Sequence, residues 1–258
     1  MVLLGAAVDR LAENGICFVA NDPKVIRTFS DKAKTFEHLA GLGFSVPRTT
    51  RVSSEADLAA IGMPCIIKPS TGSGGSAMVW LAADAEEASM YAGNILRAGG
   101  SPIAQEYIDP SEGEFTVGVL SLTGGEIVGS IALRRSLDSK LSVAFRGRQG
   151  VISTGYTQGY IADFPAIRTQ AEAISLAIGS QGALNIQGRV RNGEFIPFEI
   201  NPRLSASTYL RAMAGFNEID LLLQRMAFND VKPPGSIREG WYLRSFTELF
   251  VPPQDLKT

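Results

Sequence analysis

Two alternating segments on either side of Asn192-Gly193 constrain the fold of this 258-residue chain more than any other feature. In each segment apolar residues alternate with polar ones, as in a half-buried strand, and Asn-Gly is a favoured hairpin turn. The apolar positions are Leu184, Ile186, Val190, Ile196, Phe198 and Ile200. The polar positions are Asn185, Gln187, Arg189, Glu199, Asn201 and Arg203. The sequence therefore predicts an antiparallel hairpin with one apolar face and one polar face.

The register of this hairpin decides which polar side chains meet. A two-residue turn would place Ile186 opposite Glu199, which sets an apolar face against a polar one. A three-residue loop with a left-handed glycine moves the pairing by one residue, so that Ile186 meets Ile200 and Val190 meets Ile196. Because a slip of one residue turns a whole strand over, burial of the apolar face should select this second register.

The selected register has a chemical consequence on the polar face. Gln187 then lies opposite Glu199 and Asn185 lies opposite Asn201, with Arg203 two residues further along. Carboxylate and amide oxygens suit a hard cation, and Mg²⁺ often takes only one or two carboxylates together with substrate phosphates. The alternative is a solvated face of an edge hairpin. The Asn-Pro step favours the metal site, because it ends the strand and holds Arg203 just beyond it.

A lysine at the end of an apolar segment leads directly into a glycine-rich loop. Residues 66–77 read IIKPSTGSGGSA, with Lys68 at the tip of the apolar part. Such a loop exposes backbone N–H groups that can converge on phosphate oxygens, and the lysine adds a positive charge. The segment predicts either a flap that closes over phosphates or an ordinary flexible turn beside a surface lysine.

Two known glycine motifs compete for this loop. A P-loop needs its lysine after the final glycine, whereas Lys68 precedes the loop, so a P-loop is excluded. The run from Gly72 to Ala77 fits the dinucleotide pattern G-x-G-x-x-A. That pattern should open a helix, but residues 77–81 are patterned as a strand. A dinucleotide-dependent oxidoreductase is therefore kept only as an alternative.

The rest of the chain mixes helices with mostly antiparallel strands, which indicates an α+β or α/β class. Predicted helices cover residues 31–39 behind a Ser30 or Asp31 cap, 54–62 behind a capping box, 84–97, 167–178, 206–213 and 218–227. Predicted strands cover residues 15–20, 65–68, 77–81, 103–108, 114–121, 126–133 and 241–250. Residues 136–165 are rich in glycine and polar residues and receive no assignment.

Composition excludes several classes of function. With 24 Lys and Arg, 26 Asp and Glu and a net charge of -2, the chain has no long-range attraction for nucleic acid or an anionic membrane. Its two cysteines predict neither a disulfide framework nor a zinc site, and they favour a reducing, cytoplasmic setting. The apolar stretch at residues 2–8 is too short for a signal peptide or a membrane span. A Ser-His-Asp triad or a His-rich metal site would depend on His38 alone.

Taken together, these motifs resemble the ATP-grasp superfamily and, within it, single-unit relatives of the carbamoyl-phosphate synthetase large subunit. The resemblance covers roughly residues 15–230, and its most specific part is Glu199-Ile200-Asn201-Pro202-Arg203. Its other parts are Lys68 with the glycine loop, Ala104-Gln105-Glu106-Tyr107-Ile108, Glu114 and Gln187. The implied fold is mixed α+β, with two subdomains of antiparallel sheets, a glycine-rich flap, and the nucleotide held between the subdomains.

The resemblance also implies a domain plan. Residues 1–30 would be the remnant of an α/β domain that precedes the ATP-grasp domain in the family, and residues 31–250 would be the ATP-grasp domain itself. Within it, a lid subdomain would cover about 50–106 and a larger catalytic subdomain 107–250. Because acceptor substrates of the family commonly touch the preceding domain, a homo-oligomer or a partner protein could supply the missing part.

The resemblance assigns nucleotide contacts to one set of residues. It implies that ATP is bound by Lys32, Lys68, Gly72, Ser73, Gly74, Gly75, Gln105, Glu106, Tyr107, Ile108 and Glu114. The two lysines would bind the phosphates beneath the glycine flap, and the segment that begins at Gln105 would contact adenine through its backbone. Glu106, or Gln105 as a one-residue alternative, would lie near the adenine amine, and Glu114 would hold the ribose hydroxyls.

The resemblance assigns the metal and the chemistry to the hairpin. Gln187, Glu199 and Asn201 would bind Mg²⁺, with Mn²⁺ as an alternative, and the catalytic residues would be Arg203 and Lys68 at the transferred phosphoryl group. Such enzymes phosphorylate a carboxylate with ATP, and an amine or similar nucleophile then displaces the phosphate. The implied partners are small-molecule acids and amines. A nucleotide-binding module without turnover is the main alternative, and the short N-terminal part favours it.

Overall fold

Helices and antiparallel strands are mixed along the chain, which confirms the predicted α+β class. The computed structural model describes residues 2–16, 20–72, 77–122, 124–138, 143–147, 149–228, 230–232 and 234–245. Its helices are α1 (Val2–Gly5), α2 (Val8–Glu13), α3 (Pro23–Phe29), α4 (Lys32–Gly41), α5 (Glu55–Ile61), α6 (Ala85–Arg97), α7 (Pro165–Ala177), α8 (Thr208–Met213) and α9 (Glu218–Phe228). Its strands are β1 (Thr49–Arg51), β2 (Cys65–Pro69), β3 (Trp80–Ala82), β4 (Pro102–Glu106), β5 (Glu114–Ser121), β6 (Ile127–Arg135), β7 (Val143–Gly147), β8 (Gly150–Ser153), β9 (Gly159–Ala162), β10 (Ala183–Arg191), β11 (Glu194–Asn201) and β12 (Gly240–Tyr242).

The smaller sheet has the strand order β1-β4-β2-β3, and all its neighbouring strands are antiparallel. Helices α5 and α6 pack against it, and their apolar side chains Leu58, Ala92 and Ile95 bury Ile67 and Ala104 of the strands. This sheet carries both ends of the glycine loop, because β2 ends just before the loop and β3 follows it.

The larger sheet has the strand order β11-β10-β5-β6-β9-β12 and is also antiparallel. Helices α3, α4 and α7 cover one face, where Val117, Ile174 and Ile186 belong to one core. Helices α8 and α9 cover part of the opposite face around Leu120 and Phe216. The polar side chains of β10 on that same face are left to form a cleft with the smaller sheet.

The two sheets separate close to the predicted subdomain boundary. The smaller sheet takes its strands from residues 49–106 and the larger one from residues 114–242. The assignment of these parts as a lid and a catalytic subdomain, and of residues 1–30 as a domain remnant, stays a prediction. In the described part of the chain, no helix is both long enough and apolar enough to cross a bilayer.

The predicted hairpin forms, but its turn differs from the prediction. Asn192 and Gly193 both have positive φ, at 55° and 77°, as a two-residue type I′ turn requires. Val190 consequently lies opposite Phe195 rather than opposite Ile196. The predicted three-residue loop is therefore wrong, because the register is adjusted further along the strands.

A β-bulge brings the polar residues into the predicted pairing. The register shifts just after Gln187, and Phe198 is the extra residue of β11. Beyond this bulge Gln187 lies opposite Glu199 and Ile186 lies opposite Ile200, so these two pairings are confirmed. The bulge also places Phe198 in the lining of the cleft, whereas the alternation predicted it on the apolar face.

The local helix signals are confirmed. The Asp31 carboxylate caps α4 by accepting the backbone N–H groups of Ala33 and Lys34. Ser54 and Asp57 form the predicted capping box at the start of α5. The four later predicted helices correspond to α6, α7, α8 and α9, with ends that differ by at most about two residues, which is the usual uncertainty of helix boundaries.

The strand predictions differ from the structure in several places. β1 (Thr49–Arg51) was not predicted, and the strand predicted over 103–108 ends at Glu106 as β4. β3 begins at Trp80, because Ala77 and Met78 form a turn after the glycine loop. The unassigned segment 136–165 contains β7, β8 and β9. Two predicted strands lie partly outside the described residues. They are the strand over 15–20 and the end of the strand over 241–250.

Candidate active site

A cleft between the two sheets collects most of the predicted site residues. Those that line it are Lys32, Lys68, Gln105, Glu106, Tyr107, Ile108, Gln187 and Glu199. They come from α4, β2, β4, the segment after β4, β10 and β11. Apolar side chains from β2 and β8 complete the lining, and a mixture of apolar walls with a few convergent polar groups is typical of a ligand site.

Lys68 lies on β2 next to the loop, as predicted, but it is buried rather than on the surface. Its Nζ donates hydrogen bonds to Gln105 Oε1 at 2.8 Å and to the Phe198 carbonyl at 3.1 Å, and both acceptors are neutral. Burial lowers the pKa of Lys68 to about 7, while the negative charge of Glu199 opposes this shift and the nearby Lys32 adds to it. A phosphate oxygen would give the amine the anionic partner that these neutral acceptors do not provide.

We expect ATP binding at pH 8 to take up about one proton per protein molecule. With a pKa of about 7, the Lys68 amine is mostly neutral at pH 8 in the free protein, and phosphate oxygens stabilise its charged form. ATP affinity should therefore fall as the pH rises from 7 towards 10, because binding must create the charge. Titration calorimetry in buffers of different ionisation enthalpy measures the uptake. Uptake that persists in Lys68→Met would contradict the assignment.

Lys32 is fixed at the start of the glycine loop by contacts of its own helix. Its backbone N–H donates to the Ser70 carbonyl at 2.8 Å. The Asp31 carboxylate accepts hydrogen bonds from the Ser70 hydroxyl and from Arg51 Nη2, the latter at 2.8 Å. Because Ser70 directly follows β2, these bonds join the first turn of α4 to the strand that carries Lys68. The two predicted phosphate lysines are thus held by one hydrogen-bonded unit.

The two side chains considered for the adenine amine already have protein partners. The buried Gln105 accepts from Lys68 through Oε1 and donates from Nε2 to Thr49 at 3.0 Å. The Glu106 carboxylate accepts from Arg191 at 2.9 Å and from the backbone N–H of Arg48 at 3.1 Å. The choice between Gln105 and Glu106 at adenine therefore stays a prediction.

The backbone after β4 fits the predicted contact with a base. Among the described residues, the backbone N–H groups of Tyr107 and Ile108 have no hydrogen-bond partner. Ile66, Val79 and Ile152 line the same cleft with apolar side chains. Free backbone donors beside apolar walls suit a flat heteroaromatic ring, which is buried by the walls and recognised at its edge.

The predicted metal ligands lie together on the polar face of the hairpin. Glu199 accepts from Gln187 Nε2 at 3.3 Å and from Asn201 Nδ2 at 3.2 Å. Within the described chain, Glu199 forms no salt bridge. A half-buried carboxylate held by neutral amides keeps its charge available for a cation, so this oxygen-rich donor set fits Mg²⁺.

Gln187 meets Glu199 through its nitrogen rather than its oxygen. Its Oε1 instead accepts a long hydrogen bond from Arg135 Nη1 at 3.4 Å. In this arrangement Gln187 orients the Glu199 carboxylate as a hydrogen-bond donor. It would bind a metal through Oε1 only after its amide had rotated, because the amide nitrogen has no lone pair to offer.

Glu114 does not line the cleft, in contrast to the ribose contact implied by the resemblance. Its side chain is fully buried, with Oε2 at 2.8 Å from Arg189 Nε and Oε1 at 3.1 Å from Arg135 Nη1. Burial opposes ionisation of Glu114, but the two guanidinium groups outweigh it and hold its pKa below the usual value. The structure thus makes Glu114 the anion that neutralises two buried arginines.

Arg189 lines the cleft, although no sequence motif predicted a role for it. Its guanidinium donates to the carbonyl of Ile108 and to that of Val151, the latter at 2.9 Å, and lies 4.9 Å from the centre of the Tyr107 ring. It therefore fixes the segment after β4, and β8, to the larger sheet. The other lining residues that were not predicted are Ile66, Val79, Val151, Ile152, Ser153 and Phe198.

A second cavity adjoins the cleft and is lined by three further predicted residues. Gly72, Asn201 and Arg203 line it, and Lys32 and Glu199 belong to both linings. Arg203 is exposed and donates to the Leu204 carbonyl at 2.9 Å. The rest of the predicted flap lies outside the described residues. Its members are Ser73, Gly74 and Gly75.

A family model described as an ATP-grasp domain matches residues 29–207, which is more than half of the chain. The chain belongs to the ATP-grasp family. The matched region contains every predicted site residue from Lys32 to Arg203. The dinucleotide alternative gains no support, because the turn at Ala77 leads into β3 and not into a helix.

Comparison with individual proteins places this ATP-grasp chain among larger relatives. It is 27% identical over 206 residues to the carbamoyl phosphate synthase large chain of Haemophilus ducreyi, which covers 76% of this chain and 18% of that one. The biotin carboxylase domain of Hydrogenobacter thermophilus 2-oxoglutarate carboxylase, solved with MgADP, ADP and bicarbonate, is 18% identical with a TM-score of 0.67, over 92% of this chain and 54% of that one. D-alanine–D-alanine ligase from Bacillus anthracis is 16% identical with a TM-score of 0.62, over 84% and 73%. These likenesses show the ATP-grasp fold.

Proposed function

We propose that this chain is an ATP- and Mg²⁺-dependent ligase that activates a carboxylate as an acyl phosphate for attack by an amine. The observation that carries the proposal is the presence of Lys68 and Glu199 in one cleft, each without an ion-pair partner among the described residues. A triphosphate with its metal would satisfy both groups at once. Its oxygens would pair with the amine, and the carboxylate would face the cation.

The chain's own residues would position the nucleotide and balance its charge. Lys32 and Lys68 would neutralise phosphate oxygens, and Arg203 would face the group in transfer. Glu199 and Asn201 would hold Mg²⁺, with Gln187 as a third ligand after rotation of its amide. When bound, the metal would supply positive charge at the phosphates. The backbone of the segment after β4 would orient the adenine.

The proposed reaction proceeds in two steps. An oxygen of the acid's carboxylate bonds to the γ-phosphorus while the bond from that phosphorus to the bridging oxygen breaks, and ADP leaves. The nitrogen of the amine then bonds to the acyl carbon, the bond from that carbon to the phosphate oxygen breaks so that inorganic phosphate leaves, and the nitrogen releases a proton. The first step transfers no proton, which suits a site built from cations, amides and one carboxylate.

Nucleotide complexes of proteins with the same fold support ATP as the ligand. Biotin carboxylase from Campylobacter jejuni was solved as a complex with β,γ-ATP, and D-alanine–D-alanine ligase from Bacillus anthracis was solved with ATP. The TM-scores of these two structures are 0.63 and 0.58.

A nucleotide-binding module that works only with a partner is the second candidate. The chain spans 18% of the carbamoyl phosphate synthase large chain and about half of the carboxylase structures that it matches. A second polypeptide could then provide further walls of the acceptor site.

Calorimetry and phosphate release together separate the two candidates. ATP is titrated with and without Mg²⁺, and phosphate release is then measured with panels of carboxylic acids and amines. A ligase should bind ATP in a Mg²⁺-dependent way and release phosphate when an acid is added, with an amide in the product mass spectrum. Binding without release under any acid would favour the module, and no binding at all would contradict both.

Lys68→Met should weaken ATP binding at pH 7 by about tenfold, since a charge-assisted hydrogen bond to phosphate is lost. Methionine is apolar and fits a buried position, so the fold should be retained. Lys24→Met is the matched control, because Lys24 is exposed on α3 and lines neither cavity. Equal ATP affinities of the two variants would show that Lys68 does not bind the phosphates.

A further inference from the structure

The second cavity extends the cleft beyond the hairpin that carries the metal ligands. Its walls come from α1, α3, α4, the start of the glycine loop and the end of β11. Lys32 and Glu199 line both cavities, so the two spaces meet between a phosphate lysine and the predicted metal carboxylate. A phosphoryl group that leaves a nucleotide in the cleft would therefore meet an acceptor held in the second cavity.

The charge of this cavity is dominated by cations. The cationic side chains in its lining are Arg27, Lys32, Lys34 and Arg203. The carboxylates are Asp31 and Glu199, and the Asp31 carboxylate is already bound by Arg51, by Ser70 and by the N–H groups that it caps. None of the four cations forms a salt bridge with another described residue. The excess of positive charge in its lining therefore favours binding of anions.

One carboxylate and one phosphoryl group do not account for all four cations. Lys32 borders the nucleotide cleft, and Arg203 lies at the metal end, with Nη2 at 3.5 Å from Asn201 Oδ1. Arg27 and Lys34 come from α3 and α4, a different wall, and the nucleotide cleft includes neither of them. Both are exposed cations that line the cavity, and they are therefore available to bind a second anionic group.

On the basis of the proposed function, we propose that the acid substrate carries two anionic groups. Its reacting carboxylate would lie at Arg203, and a second carboxylate or a phosphate would be bound by Arg27 and Lys34. Phe29 and Pro202 line the same cavity and offer apolar surface to a short carbon chain between the two anions. The substrate class is therefore a short dicarboxylic or phosphorylated acid.

Binding of simple acids to the full chain tests this proposal. The protein is saturated with Mg²⁺ and a non-hydrolysable ATP analogue, and succinate, phosphoglycolate and propionate are titrated at one ionic strength, because salt screens such contacts. We expect succinate or phosphoglycolate to bind about tenfold more tightly than propionate. The comparison of succinate with phosphoglycolate identifies the second anionic group.

Two substitutions test whether the tighter binding of the acid with two anionic groups depends on Arg27 and Lys34 of the second cavity. Arg27→Met and Lys34→Met should each weaken binding of the preferred acid, succinate or phosphoglycolate, about fivefold without changing the affinity for propionate, because only the second anionic group loses a partner. Lys24→Met is again the matched control, as an exposed cation of α3 outside the lining. Retained binding of the ATP analogue shows that each variant is folded.

The outcomes separate this proposal from the ligase function. Propionate binding as tight as the tighter of succinate and phosphoglycolate, no binding of any acid, or binding of the preferred acid that both substitutions leave unchanged would overturn the site for a second anionic group, even where monoacids stimulate phosphate release. Binding of the preferred acid that depends on Arg27 and Lys34, together with no acid-stimulated release, would support the site for a second anionic group and overturn the ligase.

Discussion

Glu199→Gln is expected to lower acid-stimulated phosphate release at least about 100-fold, because it removes the one carboxylate of the predicted metal site. Glutamine has the same shape and can keep hydrogen bonds with Gln187 and Asn201, which now surround the carboxylate at 3.3 Å and 3.2 Å. The fold should therefore be unchanged. Binding of ATP without Mg²⁺ should also change little, since the phosphate lysines are untouched.

The measurement is phosphate release as a function of Mg²⁺ concentration, with ATP affinity determined in parallel. The variant should need more Mg²⁺ and still turn over slowly at saturation. Glu86→Gln is the matched control, because Glu86 is exposed on α6 and lines neither the cleft nor the second cavity. Normal turnover and an unchanged Mg²⁺ requirement in Glu199→Gln would show that the metal is bound elsewhere.

Glu114→Gln is expected to lower the free energy of unfolding by about 3–5 kcal/mol, which is a large part of the stability of a domain. The substitution leaves two buried guanidinium groups, Arg135 and Arg189, without the carboxylate that now contacts both. Glutamine is nearly isosteric, so the loss comes from the missing charge and not from a cavity. The ribose contact implied by the resemblance would instead predict weaker ATP binding with normal stability.

Urea denaturation measures this loss, and Glu126→Gln, at an exposed position just before β6, should stay within about 0.5 kcal/mol of the unmodified chain. The pH dependence gives a second readout. The folded pKa of Glu114 lies below its usual value, so its stabilising charge is present above about pH 4.3 and is lost as the pH falls through the folded pKa. This acid-dependent loss should be absent from Glu114→Gln. A destabilisation below about 1 kcal/mol would contradict a structural role for Glu114.

Sequence signals that involve neighbouring residues correctly predicted helix starts and the pairing within the hairpin. The Asp31 cap and the Ser54 capping box depend on residues at most three positions away, and both form. The pairing of Gln187 with Glu199 was predicted from alternation and burial, which act on every residue of a strand. These features position the predicted metal ligands and Lys32, one of the two predicted phosphate lysines.

The features that the sequence could not predict depend on partners far apart in the chain. Phe198 enters the cleft because it is the extra residue of a β-bulge. The bulge allows a two-residue turn to be combined with a buried apolar face. The alternation of apolar and polar residues does not show where such a bulge occurs. Glu114 meets Arg189 only because β5 and β10 are neighbours in the sheet. β8 has only four residues in a glycine-rich segment, too few for a clear period. Its apolar pair Val151-Ile152 was the one signal that could have located this wall of the cleft.

The bulge at Phe198 has a further consequence for motion. Its carbonyl accepts the hydrogen bond from Lys68, and the two residues belong to different sheets, so this 3.1 Å contact joins the two walls of the cleft. Any movement that separated the two sheets would break this bond and let solvent reach the amine, which would raise its pKa towards the ordinary value. Separation of the sheets would in this way be coupled to protonation of Lys68.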